Sequence, residues 1–170
     1  PTLPLLLAAR EDSAVRQDLA DRNLMIPVLG VAREALKDTY TDPRTGHVHE
    51  ALDIPAPLGT PVVAAGDGKV VKLFLSKPGG ITVYQFDPDE KYAYYYAHLD
   101  RYAEGLKEGM VLKKGDPVGF VGYTGNASPD APHLHFAIFE LGPEKHWWEG
   151  TAVNPYLYLT EPAAEAEIER

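Results

Sequence analysis

The stretch PHLHFAIFE (132–140) decides how this chain folds. Side chains alternate faces along a strand, so His133 and His135 point one way. Leu134, Phe136 and Ile138 point the other way and read as core. A sheet that turns two imidazoles to one side either exposes them to solvent or builds a metal site with them.

Upstream, the punctuation is that of a β protein. Pro55, Pro57, Gly59 and Pro61 rule out a long helix there. PVVAA, then GDG, then KVVKLFL reads as two strands joined by a tight turn. ITVYQF (81–86) and KYAYYYAHL (91–99) flank DPDE, a hairpin signal. MVLKKGDPVGFVGYTG (110–125) holds two more short strands, and HLHFAIFE (133–140) is the last clear one. About seven short strands with few helices predict a mainly β fold with an antiparallel sheet or sandwich core and peripheral loops. NPYLYL (154–159) reads as a segment closing on the core. Residues 1–24 read as an N-terminal helical extension, with Ser13 as N-cap and Val15 and Leu19 on one face. LPLLLAA (3–9), inside it, is too short to cross a bilayer. Residues 25–160 form the main domain, and 161–170 an acidic, Ala-rich tail. The chain opens on Pro1 and not Met, which reads as a mature or cropped polypeptide, so the lack of a leader or anchor in it carries little weight.

Bulk properties remove several functions. A net charge of −9 argues against nucleic acid, whose counterions would find no replacement, and against anionic membrane surfaces. With no cysteine there is no disulfide, thiolate metal site or Cys nucleophile. No apolar run approaches the roughly 20 residues of a membrane span.

The remaining histidines are His47, His49, His98 and His146. His49-Glu50-Ala51-Leu52-Asp53 is not a helical zinc motif, because Pro55 and Pro57 follow at once. In an extended chain His49 and Asp53 lie about 13 Å apart at Cα, so they share an ion only if the chain bends near Ala51. By alternation His98 shares a face with Tyr92, Tyr94 and Tyr96, a face suited to the wall of a groove. His146, in EKHWWEG, reads as a surface-loop residue beside Trp147 and Trp148, and His47 is the one rival ligand.

Taken together, His49-x-x-x-Asp53 before GTPVVAAGDGKVV, then Tyr96-Ala97-His98-Leu99, then PHLHF, resembles the LytM/lysostaphin-type zinc metallopeptidases, the M23 class. The resemblance spans roughly residues 40–158. It implies a LytM-like sheet and one zinc ion held by His49, Asp53 and His135. His98 and His133 fall on the two histidines that are not ligands. The implied activity is zinc-dependent endopeptidase hydrolysis of peptidoglycan cross-links, with stem or cross-bridge peptides as partners, in the periplasm or outside the cell. In that scheme water activated by the metal attacks the peptide. His133 serves as general base, and His98 supports the oxyanion or the leaving amine, the two roles being exchangeable. Tyr96 or Tyr40 is a candidate extra oxyanion donor. Two departures stand out: Ala51 where the family has Gly, and a longer turn at 126–131 before Pro132. The alternative is a non-catalytic LytM-type regulator or binding module, against which the full set of five residues argues. A lipoyl- or biotin-type carrier is a third reading, but Lys113-Lys114-Gly115 lacks the acidic or Met neighbours such a lysine needs. Oligomeric state is set by none of these residues.

Overall fold

Three long strands rich in β-branched and aromatic residues form the centre of the molecule, seen in a computed structural model that describes residues 13–44 and 47–160. They are β6 (Gly80–Phe86), β7 (Tyr92–Tyr102) and β10 (His133–Leu141). The other strands are β1 (Pro43–Arg44), β2 (His47–Val48), β3 (Leu52–Pro55), β4 (Pro61–Val63), β5 (Gly68–Ser76), β8 (Val111–Leu112), β9 (Pro117–Val121) and β11 (Gly150–Val153). β1 and β2 pair as a separate two-stranded ribbon. The other nine form one sheet, every pairing antiparallel, along the path β11-β10-β7-β6-β5-β8. The mainly antiparallel β fold expected from the sequence is therefore what forms.

The central hairpin is built by one aspartate. Asp87 Oδ1 accepts from the amides of Lys91 (2.8 Å) and Tyr92 (2.7 Å), and the Asp87 carbonyl accepts from Glu90 (2.9 Å). Its buried carboxylate also meets Arg22, Nη2 to Oδ2 at 2.8 Å. Arg22 follows helix α1, helical over residues 13–21 and carrying the fully buried Leu19 into the core. Helix α2 (Tyr156–Thr160) closes the same core with Leu159.

The inner face of the sheet presents Ile54, Val83, Leu134, Phe136 and Ile138, all with no exposed surface. The period-two reading of 133–140 is met residue for residue on this face. At the centre, Tyr96 lies with its ring 5.3 Å from that of Phe136. Its hydroxyl donates to Gln85 Oε1 (2.6 Å) and accepts from the Ala65 amide (3.0 Å).

Two expectations change. PVVAA and KVVKLFL are strands β4 and β5, but they do not pair with each other: β4 pairs with β9, and β5 with β6 and β8. The carbonyls of Gly66 and Gly68 are taken by buried Gln85 Nε2 (2.9 and 3.2 Å), which turns the connection toward β6 and away from a hairpin ladder. Ser13 is already helical rather than capping the helix. NPYLYL closes on the core as expected, as a short helix, and β11 is a strand that the sequence pattern did not disclose. Segments 3–9 and 161–170 lie outside the described residues.

Tyr96→Phe tests how much the buried hydroxyl contributes. The change strips the Ala65 amide of its acceptor and Gln85 of its donor in a dry core. Urea unfolding is expected to show a loss of about 1–3 kcal/mol for the unsatisfied pair.

Candidate metal centre

The ladder between β3 and β10 sets Asp53 directly opposite His135, with His133 two residues along, opposite Pro55. On its other edge β10 pairs with β7, His135 against Ala97. His49 reaches the same spot because the chain turns sharply after it. Glu50 takes a left-handed conformation (φ 57°), and its amide bonds the Tyr40 carbonyl at 2.8 Å. The bend needed near Ala51 thus falls one residue earlier, on Glu50. Ala51 is not left-handed, so a methyl group in place of the family's glycine hydrogen is accommodated.

His98 is delivered by a β-bulge. Val83 pairs with Tyr96 and Ile81 with Leu99, so Ala97 and His98 together oppose the single residue Thr82. His98 itself is left-handed (φ 62°). The extra residue breaks the alternation. Tyr92, Tyr94 and Tyr96 go into the core, and His98 emerges on the opposite face, the one that Tyr95 lines. The expected Tyr92/Tyr94/Tyr96 groove wall is therefore wrong. Tyr96 cannot be an oxyanion donor, since its hydroxyl is buried and fully engaged. Tyr95 is the aromatic residue that borders the site, its ring 5.8 Å from that of His135.

The five residues named from the sequence meet in one cleft of about 680 Å³. Asp53 Oδ1 lies 3.0 Å from His49 Nε2, 3.5 Å from His133 Nε2 and 3.7 Å from His135 Nδ1. His49 Nε2 and His135 Nδ1 are 3.2 Å apart. The His98 ring sits 5.0 Å from that of His133 and 5.5 Å from that of His135. His47 and the turn residues Asn126, Ala127 and Ser128 also line the cleft. His146 is not part of it: it stacks on Trp148 at 4.3 Å and bonds Glu149. Trp147 packs against Phe74 and Tyr84.

Backbone carbonyls fix the tautomers, because a carbonyl only accepts. The Nδ1 atoms of His49, His98 and His133 donate to the carbonyls of Thr39 (2.9 Å), Thr124 (2.7 Å) and Ala131 (3.0 Å). In each neutral ring the lone pair is then on Nε2. For His49 that lone pair shares a small volume with a second imidazole nitrogen and a carboxylate oxygen. Asp53 Oδ1 is buried with no hydrogen-bond partner among the described residues. Acceptors crowded together without donors are costly unless a cation sits among them. The three candidate ligand atoms lie within 4.8 Å of one another. Tetrahedral binding at 2.0–2.1 Å would separate ligand atoms by about 3.3 Å, and the observed 3.0, 3.2 and 3.7 Å bracket that value. His49, Asp53 and His135 can hold a metal ion.

The electrostatics agree. Burial pushes the His135 imidazole down to about 3, helped by the neighbouring His49, so the ring is neutral and available as a donor. Burial would raise Asp53, but contact with His49 and the fields of His133 and His135 outweigh it, leaving its pKa below the usual carboxylate range. Burial also lowers His49, yet the nearby Asp53 carboxylate and the bond to Thr39 carry it above the ordinary histidine value.

Sequence reasoning missed three residues. Thr39 organises two candidate ligands at once: its carbonyl holds His49, and its hydroxyl oxygen accepts the Asp53 amide at 2.9 Å. Thr124 does the same for the His98 side, its hydroxyl bridging the Leu99 carbonyl (2.6 Å) and the Ile81 amide (3.1 Å). Arg44 reaches Asp53 from β1. Isolated Thr and Arg residues carry no spacing signal by which they could have been found.

The profile of peptidase family M23 matches residues 47–155. This chain belongs to the metallopeptidases, and within them to peptidase family M23. It is 31% identical to the L-Ala--D-Glu endopeptidase of Bacillus subtilis over 66% of this chain and 34% of that protein. It is 37% identical to the peptidoglycan DD-endopeptidase ShyC of Vibrio cholerae over 61% of this chain and 23% of that one. The chain thus spans about a third or less of these relatives. Among solved structures, the catalytic domain of lysostaphin from Staphylococcus simulans superposes with a TM-score of 0.59 at 27% identity, covering 85% of this chain and 97% of that domain.

Thr39→Val removes the hydroxyl while keeping the shape and the carbonyl. A competition titration with zinc is expected to show affinity about 10-fold weaker, the lower end for losing an outer partner of a metal ligand, with thermal unfolding of the metal-free protein little changed.

Proposed function

We propose that this chain is a zinc-dependent endopeptidase that hydrolyses peptide cross-links of bacterial peptidoglycan. One observation carries the reading. Two imidazole nitrogens, of His49 and His135, converge on a buried Asp53 oxygen that has no hydrogen-bond partner among the described residues, and two further imidazoles turn Nε2 lone pairs toward the same cleft. Two imidazoles and one carboxylate suit Zn²⁺ and leave a fourth position for solvent or substrate. Bound there, zinc supplies a Lewis acid for the scissile carbonyl and lowers the pKa of coordinated water toward 7.

The rest falls to the chain. His133, locked by the Ala131 carbonyl, offers Nε2 as the proton acceptor for the attacking water. His98, locked by Thr124, lies beside His133 with its ring 5.0 Å away. Once its Nε2 has taken up the proton that the water releases, it can bond the oxyanion or pass that proton to the leaving amine, and the two histidines' roles can be exchanged. Because each Nδ1 is already committed, neither ring needs to change tautomer before accepting a proton. Tyr95 and the 126–128 turn border the space left for peptide. Residues 25–160 form the catalytic unit. The relatives' names support peptidoglycan peptides as substrate, stem or cross-bridge, and a wall substrate favours work in the periplasm or outside the cell. Among the described residues no helix is long and apolar enough to cross a membrane.

Purified peptidoglycan should release new amino termini in the presence of this protein, lose that activity with a chelator, and regain it with zinc. His133→Ala is expected to retain one equivalent of zinc while hydrolysis falls by about 10²- to 10⁴-fold. His49→Ala, Asp53→Ala and His135→Ala should lose both metal and activity. A His133→Ala protein that cuts at the wild-type rate would falsify the general-base assignment.

A further inference from the structure

The two oxygens of Asp53 have different surroundings. Oδ1 faces His49, His133 and His135 and has no hydrogen-bond partner among the described residues. Oδ2 accepts from Arg44 Nη2 at 3.2 Å. Arg44 comes from β1, the first strand of the small ribbon separate from the main sheet, and its Nη1 is tied back to the Pro43 carbonyl at 3.0 Å. The guanidinium lines the cleft and is the one permanently charged cation among its lining residues.

We propose that Arg44 is a positioning residue that makes Asp53 a one-oxygen ligand. This rests on the metal-site reading above. A carboxylate beside a divalent cation can offer one oxygen or both. With both, it takes an additional coordination position, the place that water and the scissile carbonyl need. An arginine hydrogen-bonded to Oδ2 removes that option by occupying the second oxygen with a donor that cannot lose its proton. The ladder to β10 fixes the Asp53 backbone, and Thr39 holds its amide, but neither determines the rotation of the carboxylate about its last bond. Arg44 Nη2 hydrogen-bonds that side chain at Oδ2 and so sets it.

Energy alone does not justify the pair. Arg44 and Asp53 are 38% and 23% exposed in their side chains, and a pair that open contributes little to stability. Its effect is on geometry. Only Nη2 touches the carboxylate, so the fork of the guanidinium is not required there. A lysine ammonium can make the same single contact.

Cobalt(II) replacing zinc reports coordination number through its visible absorption, independently of turnover. Wild type, Arg44→Ala and Arg44→Lys would be loaded with one equivalent and compared. The expected result is a several-fold drop in the visible bands for Arg44→Ala, as coordination number rises. Arg44→Lys should keep the wild-type spectrum. Thermal unfolding of the metal-free proteins should be the same for all three, which separates positioning from general support of the ribbon. An Arg44→Ala spectrum matching wild type overturns the proposal. So does a changed spectrum accompanied by a collapsed fold in Arg44→Ala and equally changed in Arg44→Lys. Failure of the wild-type protein to bind cobalt or zinc defeats the metal reading and this inference with it, and is distinguishable because it appears before any variant is made.

Discussion

The ladder between β3 and β10 places Asp53 across from His135, and the rest of the site depends on that register. Side chains alternate along both strands, so a slip of one residue would drive His133 and His135 into the core and bring Leu134 and Phe136 to the cleft. The slip is resisted by what lies on the other face. Leu134, Phe136 and Ile138 are completely buried, and expelling a side chain of that size costs about 1.5–3 kcal/mol. Hydrophobic burial on one side of the sheet is thus the clamp that aligns polar chemistry on the other.

That chemistry is locally unfavourable without a cation. Burial opposes charge on His135, and a carboxylate oxygen with no donor stands among imidazole lone pairs. The fold keeps these acceptors together by tying down the groups that orient them. Thr39 binds both His49 and the Asp53 amide, while Thr124 and Ala131 take the outward nitrogens of His98 and His133. Each of these partners is a backbone carbonyl or a neutral hydroxyl. They orient rings without adding charge, and the carboxylate's second oxygen alone is assigned to a cationic side chain.

Two irregular backbones make the convergence possible. Left-handed residues with a Cβ are uncommon, and here Glu50 and His98 adopt that conformation on opposite sides of the cleft. Glu50 folds His49 back over Asp53. His98 sits in the bulge where β7 leaves β10 and passes to β9, whose pairing with β7 begins at Leu99. Each irregularity is held by a backbone hydrogen bond, Glu50 to Tyr40 and His98 to Gly79. Regular strands could not bring five side chains from three separate segments to one point.

Local pattern in the sequence determined the long strands, the DPDE hairpin and the shared face of His133 and His135, because period-two alternation and turn chemistry act over a few residues. It also supplied all five histidine and aspartate positions through motifs whose spacing survives in one dimension. What it could not determine were features that depend on an unpaired residue or a distant partner. The bulge at His98 reversed the roles of Tyr95 and Tyr96, and alternation cannot register one extra residue opposite Thr82. The partners of β4 were decided by Gln85 capturing the carbonyls of Gly66 and Gly68. Thr39, Thr124 and Arg44 are ordinary residues until folding brings them to a ligand. Sequence sets which groups are present and which way each short strand faces; only three-dimensional packing sets who meets whom, because those contacts are long-range and their energies belong to pairs.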